Sequence, residues 1–443
     1  MNLVSIAWKS IKQRALPSTL TSLNVALGVM LIVAVLVCTS VVNRAFSQSA
    51  IPYDLVIGAK GSELQLVLSA VYRIEPAIGK LPYDFLKEVE ADRRIVNAVP
   101  LVFGDTTEQG AFPIVGTTDT YFEMGATPDA PFRIRGERIG GPFDAIIGDR
   151  VARANDWDLG SEFKLVHGGE ESDHVHDETF KVVGVLAPTM SANDKTVFIS
   201  IDGFFQIGGH DVDFDQHERQ VSAFYGSEPE KRDEKLKQIR AIRAERAAAP
   251  PGTHFHDNPD VLKSLAAIFV QTREKSRLMD TFSLSAEYRN GFKATAVNPI
   301  VPMQRLRQQM LGNIQKVLLW MSVLILLVSG VSIFVSIYNS MSDRRREISI
   351  MRALGAPRSS VFSIILAESV LLCFIGGLLG LLLGHGLVFV ASGVIAKETG
   401  LLLNPWAFEP MELWVFPILF ALAVLVGFLP ALTAYRTDVA RNL

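Results

Sequence analysis

The chain has 443 residues, 49% of them apolar and 20% charged, with a mean hydropathy of +0.27. Ordinary soluble domains are about 25% charged, so this balance excludes a disordered chain and argues against a wholly soluble one. The net charge of −3 argues against a nucleic-acid binder, and two cysteines in apolar runs, Cys38 and Cys373, exclude a disulfide framework.

Residues 1–19 carry Lys9, Lys12 and Arg14, and no charge follows until Arg44. Residues 20–43 are predicted to form a first membrane helix, since about 20 apolar residues cross a ~30 Å hydrocarbon core. The run is longer than a signal h-region and no A-x-A site follows it, so it reads as an uncleaved anchor.

Residues 44–313 form a domain of their own, with 31 Lys and Arg against 39 Asp and Glu, a net of −8. Phe163–His167 and Phe180–Leu186 read as a hairpin and Thr196–Ile201 as a further strand. Pro229–Ala248 reads as an exposed charged helix, Asp260–Arg277 as an amphipathic helix, and Pro302–Ile314 as a helix running into the next membrane span. The domain is expected to be mixed α/β and large enough for its own core.

Seven of the eight histidines fall between positions 167 and 256. His167 and His174-Val-His176-Asp177 lie in the hairpin loop, and His254-Phe-His256 follows later. His-x-His in an extended chain sets two rings on one side about 6.5–7 Å apart, a spacing that suits two ligands of one zinc ion. A solvated acidic loop is the plainer reading of the same residues. The chain contains no His-Glu-x-x-His, Gly-x-Ser-x-Gly or phosphate-cradling Gly-x4-Gly-Lys-[Ser/Thr] motif, so no enzymatic activity is expected of it.

Residues 314–338 are predicted to form the second membrane helix, 361–391 the third and 412–433 the fourth, with a short outer loop at 392–411 and a tail at 434–443. Between the second and third, residues 339–360 hold Arg344, Arg345, Arg346, Arg352 and Arg358, whereas the 392–411 loop holds one lysine. Basic flanks stay inside, so both termini and the arginine loop are expected to be cytoplasmic and residues 44–313 outside. The second helix should run on to Leu354, where Gly355 takes a left-handed position, Pro357 stops the helix, and Ser359 or Ser360 caps the next one. Ile348, Met351 and Leu354 share one face, rimmed by arginines and Glu347. That face suits either a snorkelling anchor or a plug for another protein's groove.

In the third span, Gly376, Gly380 and Gly384 form a smooth stripe that fits a dimer seam or packing within one chain. Glu368 lies near the inner end, where it can snorkel or pair with a loop arginine, and His385 is expected to make a local hydrogen bond.

The string Arg346-Glu-Ile-Ser-Ile-Met-Arg-Ala-Leu-Gly-Ala356 resembles the loop signature of MacB/FtsX-type ABC transporter permeases, a superfamily that includes the lipoprotein-releasing permeases. The order of one span, a large outer domain and three spans is similar too. Residues 7–11, Ala-Trp-Lys-Ser-Ile, resemble the family's cytoplasmic membrane-edge helix, and Gly58-Ala-Lys-Gly-Ser-Glu-Leu-Gln-Leu-Val67 resembles a segment after the first span of some members. The resemblance implies a bacterial inner-membrane protein with a MacB-like periplasmic domain, in which two permease copies, as a homodimer, pair with a separate cytoplasmic ATPase. ATP-Mg is then held by that partner. Arg346, Glu347, Ile348, Met351, Arg352, Leu354 and Gly355 would couple to it, and outer-domain motion would follow by mechanotransmission. A periplasmic adaptor or substrate-binding protein is a further candidate partner. Export or extraction of an envelope substrate, regulation of a cell-wall hydrolase, and zinc-linked transport or sensing are the roles left open.

Overall fold

Among the described residues, four helical stretches are long and apolar enough to cross a membrane: Ala15–Ser40, Gly312–Asn339, Arg358–Ser392 and Pro410–Thr433. The computed structural model describes residues 3–45, 51–77, 79–167, 175–207, 213–250, 258–353, 355–399 and 408–436. It divides into two units, residues 1–43 with 308–443, and residues 44–307.

The elements begin with α1 (Leu3–Gln13), α2 (Ala15–Ala45), β1 (Leu55–Ala59), α3 (Glu63–Ala70), β2 (Leu81–Pro82), α4 (Phe85–Glu90), β3 (Ile95–Thr107) and β4 (Pro113–Thr117). Next come α5 (Thr120–Glu123), β5 (Ile134–Gly136), β6 (Asp144–Ile147), α6 (Asp149–Asn155), β7 (Glu162–His167), β8 (Val175–Leu186), β9 (Val197–Ser200), α7 (Ile201–Gln206), α8 (Phe214–Phe224) and α9 (Pro229–Ala247). The remainder are β10 (Ser264–Leu265), β11 (Ala267–Thr272), α10 (Arg277–Asn290), β12 (Ala294–Val297), α11 (Ile300–Leu306), α12 (Gly312–Ala353), α13 (Arg358–Thr399) and α14 (Val415–Arg436).

The outer unit is built on one mixed sheet in the order β12-β1-β11-β3-β4-β9-β6-β8-β5, with β7 paired to both β3 and β8. Side chains alternate across it with period two. On one face Val56, Val99, Leu101, Val115, Phe198 and Phe269 pack against α3 and α5. On the other, Leu55, Ile57, Val102, Ile268 and Val270 pack against α4 and α10. Full burial of such side chains stabilises by about 1.5–3 kcal/mol each before chain entropy is counted.

β7 and β8 pair antiparallel, and β9 and α9 fall where strand and exposed helix were expected. The expected amphipathic helix at Asp260–Arg277 is not there. A 3-10 turn at Asp260–Leu262 leads into β10 and then β11, which lies between β1 and β3. Ala267–Val270 is buried on both faces, so its apolar run does not alternate. Its β-branched and aromatic residues take a central strand instead of a helix.

In the membrane unit, α1 is an amphipathic helix ahead of the first span. α11 passes through a π-helical turn at Arg307–Leu311 into α12. A 3-10 turn at Pro410–Trp414 opens α14.

Candidate functional site

The arginine-rich stretch sits at the end of α12, whose helical backbone continues to Ala353. Gly355 then adopts φ +97°, the left-handed conformation that glycine alone takes without strain, and its N–H donates to the Arg352 carbonyl at 3.0 Å. A side chain at Gly355 would meet nothing within 4 Å, so the constraint there is conformational and not steric. Pro357 precedes α13, which already starts at Arg358. Ser359 and Ser360 therefore lie inside its first turn and neither is the cap. The Arg358 guanidinium lies 5.8 Å from the centre of the Tyr435 ring, tying this turn to the end of α14. Arg346, Glu347, Ile348 and Met351 occupy helical backbone of α12, but their side chains, and Leu354 entirely, lie outside the described residues. Arg352 is half-buried and Ile350 is exposed.

The glycine stripe of α13 packs within the chain, against the first span. A Cβ on Gly376 would stand 2.7 Å from Val25 and 2.8 Å from the Ser22 carbonyl; on Gly380, 2.6 Å from Val29 and the Ala26 carbonyl; on Gly384, 2.8 Å from Val33. Each glycine lets α2 approach to backbone contact, the close packing that small residues permit in lipid.

Glu368 is 5% exposed, so it does not snorkel outward as the sequence allowed. His385 Nε2 lies 3.0 Å from Oε2 of fully buried Glu412, whose Oε1 accepts the Glu409 backbone N–H at 3.1 Å. The Glu409 carboxylate in turn accepts from Ser40 of α2 at 2.5 Å. This polar clasp joins three spans. Sequence reasoning found His385 but missed Glu409 and Glu412; two acids at the mouth of an apolar run were the signal.

In the outer unit, the Gly58–Val67 segment forms the β1–α3 corner. A Cβ at Gly58 would strike Leu66 Cδ1 at 2.2 Å, Ser62 caps α3, and Lys60 Nζ donates to the carbonyls of Tyr288 at 2.9 Å and Arg289 at 3.0 Å. The segment thus locks α3 and the end of α10 onto β1. Asp54 fastens the start of the same strand. It is buried and accepts from Thr272 N at 2.8 Å and Thr272 Oγ1 at 2.9 Å, and it pairs with Arg277.

Of the candidate metal ligands, His174, His254 and His256 lie outside the described residues. His167 ends β7 with its backbone opposite Asp105, and Asp177 is exposed. His176 is buried, with Nε2 3.8 Å from Asp105 Oδ2. Asp105 also lines a cavity of about 340 Å³ together with Lys80, Asp213 and His217. His217 Nε2 donates to the Val261 carbonyl at 2.8 Å, and burial pulls its pKa below the usual 6.5. Among the described residues no three His, Cys, Asp or Glu side chains are grouped so that they could hold a metal ion.

These features define a membrane protein with four apolar spans and a mixed α/β extracytoplasmic-type domain inserted between the first two. Residues 18–239 match the MacB-like periplasmic core domain, and residues 319–439 match the FtsX-like permease C-terminal domain. The macrolide export ATP-binding/permease protein MacB of Photorhabdus laumondii is 31% identical over 153 residues, 34% of this chain and 22% of that protein. An uncharacterised ABC transporter permease of Methanocaldococcus jannaschii is 32% identical over 133 residues, 30% of this chain and 33% of that one. These matches therefore span about a fifth to a third of the relatives' own length. The periplasmic region of MacB from Actinobacillus actinomycetemcomitans is similar with a TM-score of 0.30 and 9% identity, over 58% of this chain and 92% of that one. The chain belongs to the MacB/FtsX-type family of ABC transporter permeases.

Proposed function

We propose that this chain is the permease subunit of an ABC complex in a bacterial inner membrane, with both termini cytoplasmic, working as a homodimer with a separate cytoplasmic ATPase. The observation that carries the reading is the end of α12. A membrane helix runs unbroken to Ala353 and is stopped by Gly355 in a left-handed turn, which leaves a short charged helical end. Ile348, Met351 and Leu354 seat in a groove of the ATPase, and Arg346, Glu347 and Arg352 orient the contact by charge pairing. The name of the Photorhabdus relative, which joins ATP-binding and permease, supports an ATPase partner.

ATP binding and hydrolysis in the partner then move α12. That movement is passed on to the outer domain, in which Ile300 and Met303 of α11 are part of the core. The work done is export or extraction of an envelope substrate. A tagged chain purified from membranes should bring down an ATPase subunit, and Leu354→Asp should lose it while keeping normal membrane levels. If no ATPase accompanies the wild type, the reading falls.

A further inference from the structure

α10 is apolar on two opposite sides, and only one of them is covered. Leu284 and Tyr288 share one side and pack with Phe85 and Leu86 in the core between α4 and the sheet. Leu278, Met279 and Phe282 fall within an arc of about 100° on the other side. They are 82%, 75% and 76% exposed. Single apolar residues on a surface are ordinary, but three large ones grouped on one turn of a helix mark a contact surface.

This turn is firmly held. Asp280 accepts from Arg273 Nε at 2.9 Å and from the Ser276 hydroxyl, and Arg277 pairs with buried Asp54. The stripe is therefore a fixed feature of the outer domain and not a frayed helix end.

The strand register shows which end of the domain carries it. β11 runs antiparallel to β1 with Val270 opposite Leu55, and β12 runs antiparallel to β1 with Val297 opposite Val56. The start of β1, the end of β11 and the end of β12 thus share one end of the sheet. The chain reaches that end from α2 and leaves it for α11 and α12. α10 begins there too, just after β11, and finishes beside Lys60 at the opposite end of β1. Both connections to the membrane spans therefore depart from the end of the sheet that bears Leu278, Met279 and Phe282.

The local charge also differs from that of the domain. Residues 272–282 carry Arg273, Lys275 and Arg277 against Glu274 and Asp280, a net of +1, whereas residues 44–313 carry −8. Asp54 and Asp280 are each neutralised by an arginine, and Lys275 is exposed. An anionic surface is not repelled here as it would be over the rest of the domain.

We propose that Leu278, Met279 and Phe282 insert into the bilayer leaflet on the outer domain's own side, which makes the first turns of α10 a lipid-surface contact. Leucine, methionine and phenylalanine on one helical face, flanked by cations, are the makings of an interfacial helix. Connectivity favours lipid over another protein, because the end of the domain joined to two spans is the end that a bilayer meets first. The contact is independent of the ATPase interface, so its failure would leave the permease reading standing.

The test uses the full chain, carrying Cys38→Ala and Cys373→Ala, in nanodiscs of mixed phosphatidylcholine and phosphatidylglycerol. A nitroxide is attached at Met279→Cys or, as the reference, at Phe292→Cys; Phe292 is 87% exposed and follows the far end of α10. Oxygen concentrates in lipid and a nickel chelate stays in water, so their collisions with the nitroxide report its surroundings. Insertion to the ~5–10 Å usual for an interfacial face should lower nickel collision at position 279 at least about fivefold relative to 292, and raise oxygen collision there. Leu278→Asp with Phe282→Asp alters only exposed side chains, so the chain should fold and elute as before, and nickel should regain access to position 279. Equal nickel access at the two labelled positions overturns the proposal. So does a nitroxide at 279 that neither reagent reaches, since protein, such as a second copy of the chain, would then cover the stripe. Nickel exclusion that survives the two aspartates overturns it as well, because the stripe would not be its cause.

Discussion

The two units of this chain hold themselves together by different means. The outer sheet is filled with large rings and branched side chains: Tyr53 stacks on Phe269 at 3.8 Å, and Tyr121 lies 5.0 Å from Phe198. The membrane unit seats α13 on α2 through three glycines and clasps three spans with Ser40, His385, Glu409 and Glu412. The difference follows from the solvent each unit displaces. Water drives large apolar side chains together, whereas lipid tails are as apolar as leucine and offer no such drive. Close backbone approach and shared hydrogen bonds therefore carry more of the association in the membrane.

The sharpest way to break this contrast is Gly380→Leu. The added side chain has no space against Ala26 and Val29, and the first span should lose its seat. Yield and protease resistance of the full chain should collapse; a variant that melts like wild type would show that the seam does not hold the bundle. A matched pair sharpens the comparison. Leu101→Ala in the sheet core should cost about 2–5 kcal/mol, and Leu419→Ala in the bundle, equally buried, should cost less because lipid offers no hydrophobic penalty. Hydrogen exchange of β3 and of α14 in nanodiscs would read both, and equal losses would contradict the argument.

Asp54→Ala should cost about 1–3 kcal/mol by orphaning the buried Thr272 N–H, with lost exchange protection at β1 and β11 as the readout. The smallest effect expected is at His217. Its folded pKa lies below the unfolded value of 6.5, so the unfolded chain takes the proton first. Stability is then present above about pH 6.5 and lost as pH falls toward the folded pKa. Wild type should lose more thermal stability than His217→Gln between about pH 7.5 and 5.5; parallel losses would remove His217 as the cause.

The four spans were legible because apolar runs of that length have few other uses. The loop motif was legible because Gly355 and Pro357 punctuate the chain visibly. β11 was not, since a strand buried on both faces shows no alternation, and Ala267–Val270 gives a helix and a strand equal support. The partner of the glycine stripe was also hidden, because small-residue spacing says that something comes close without saying what.

The glycine seam also sets a timetable for making the protein. Ser22 of α2 and Leu372 of α13, joined by a hydrogen bond of 3.5 Å, stand 350 positions apart in the chain. At about 5–20 residues per second, the ribosome takes roughly 20–70 seconds to deliver the second after the first. Throughout that interval the face of α2 bearing Ser22, Val25, Val29 and Val33 waits in the bilayer with its groove uncovered, while the whole outer domain is threaded across and begins to fold. A newborn chain stalled in that window would present a ready-made seat for a foreign helix. The cell's insertion machinery therefore has reason to shield the first span until the third arrives.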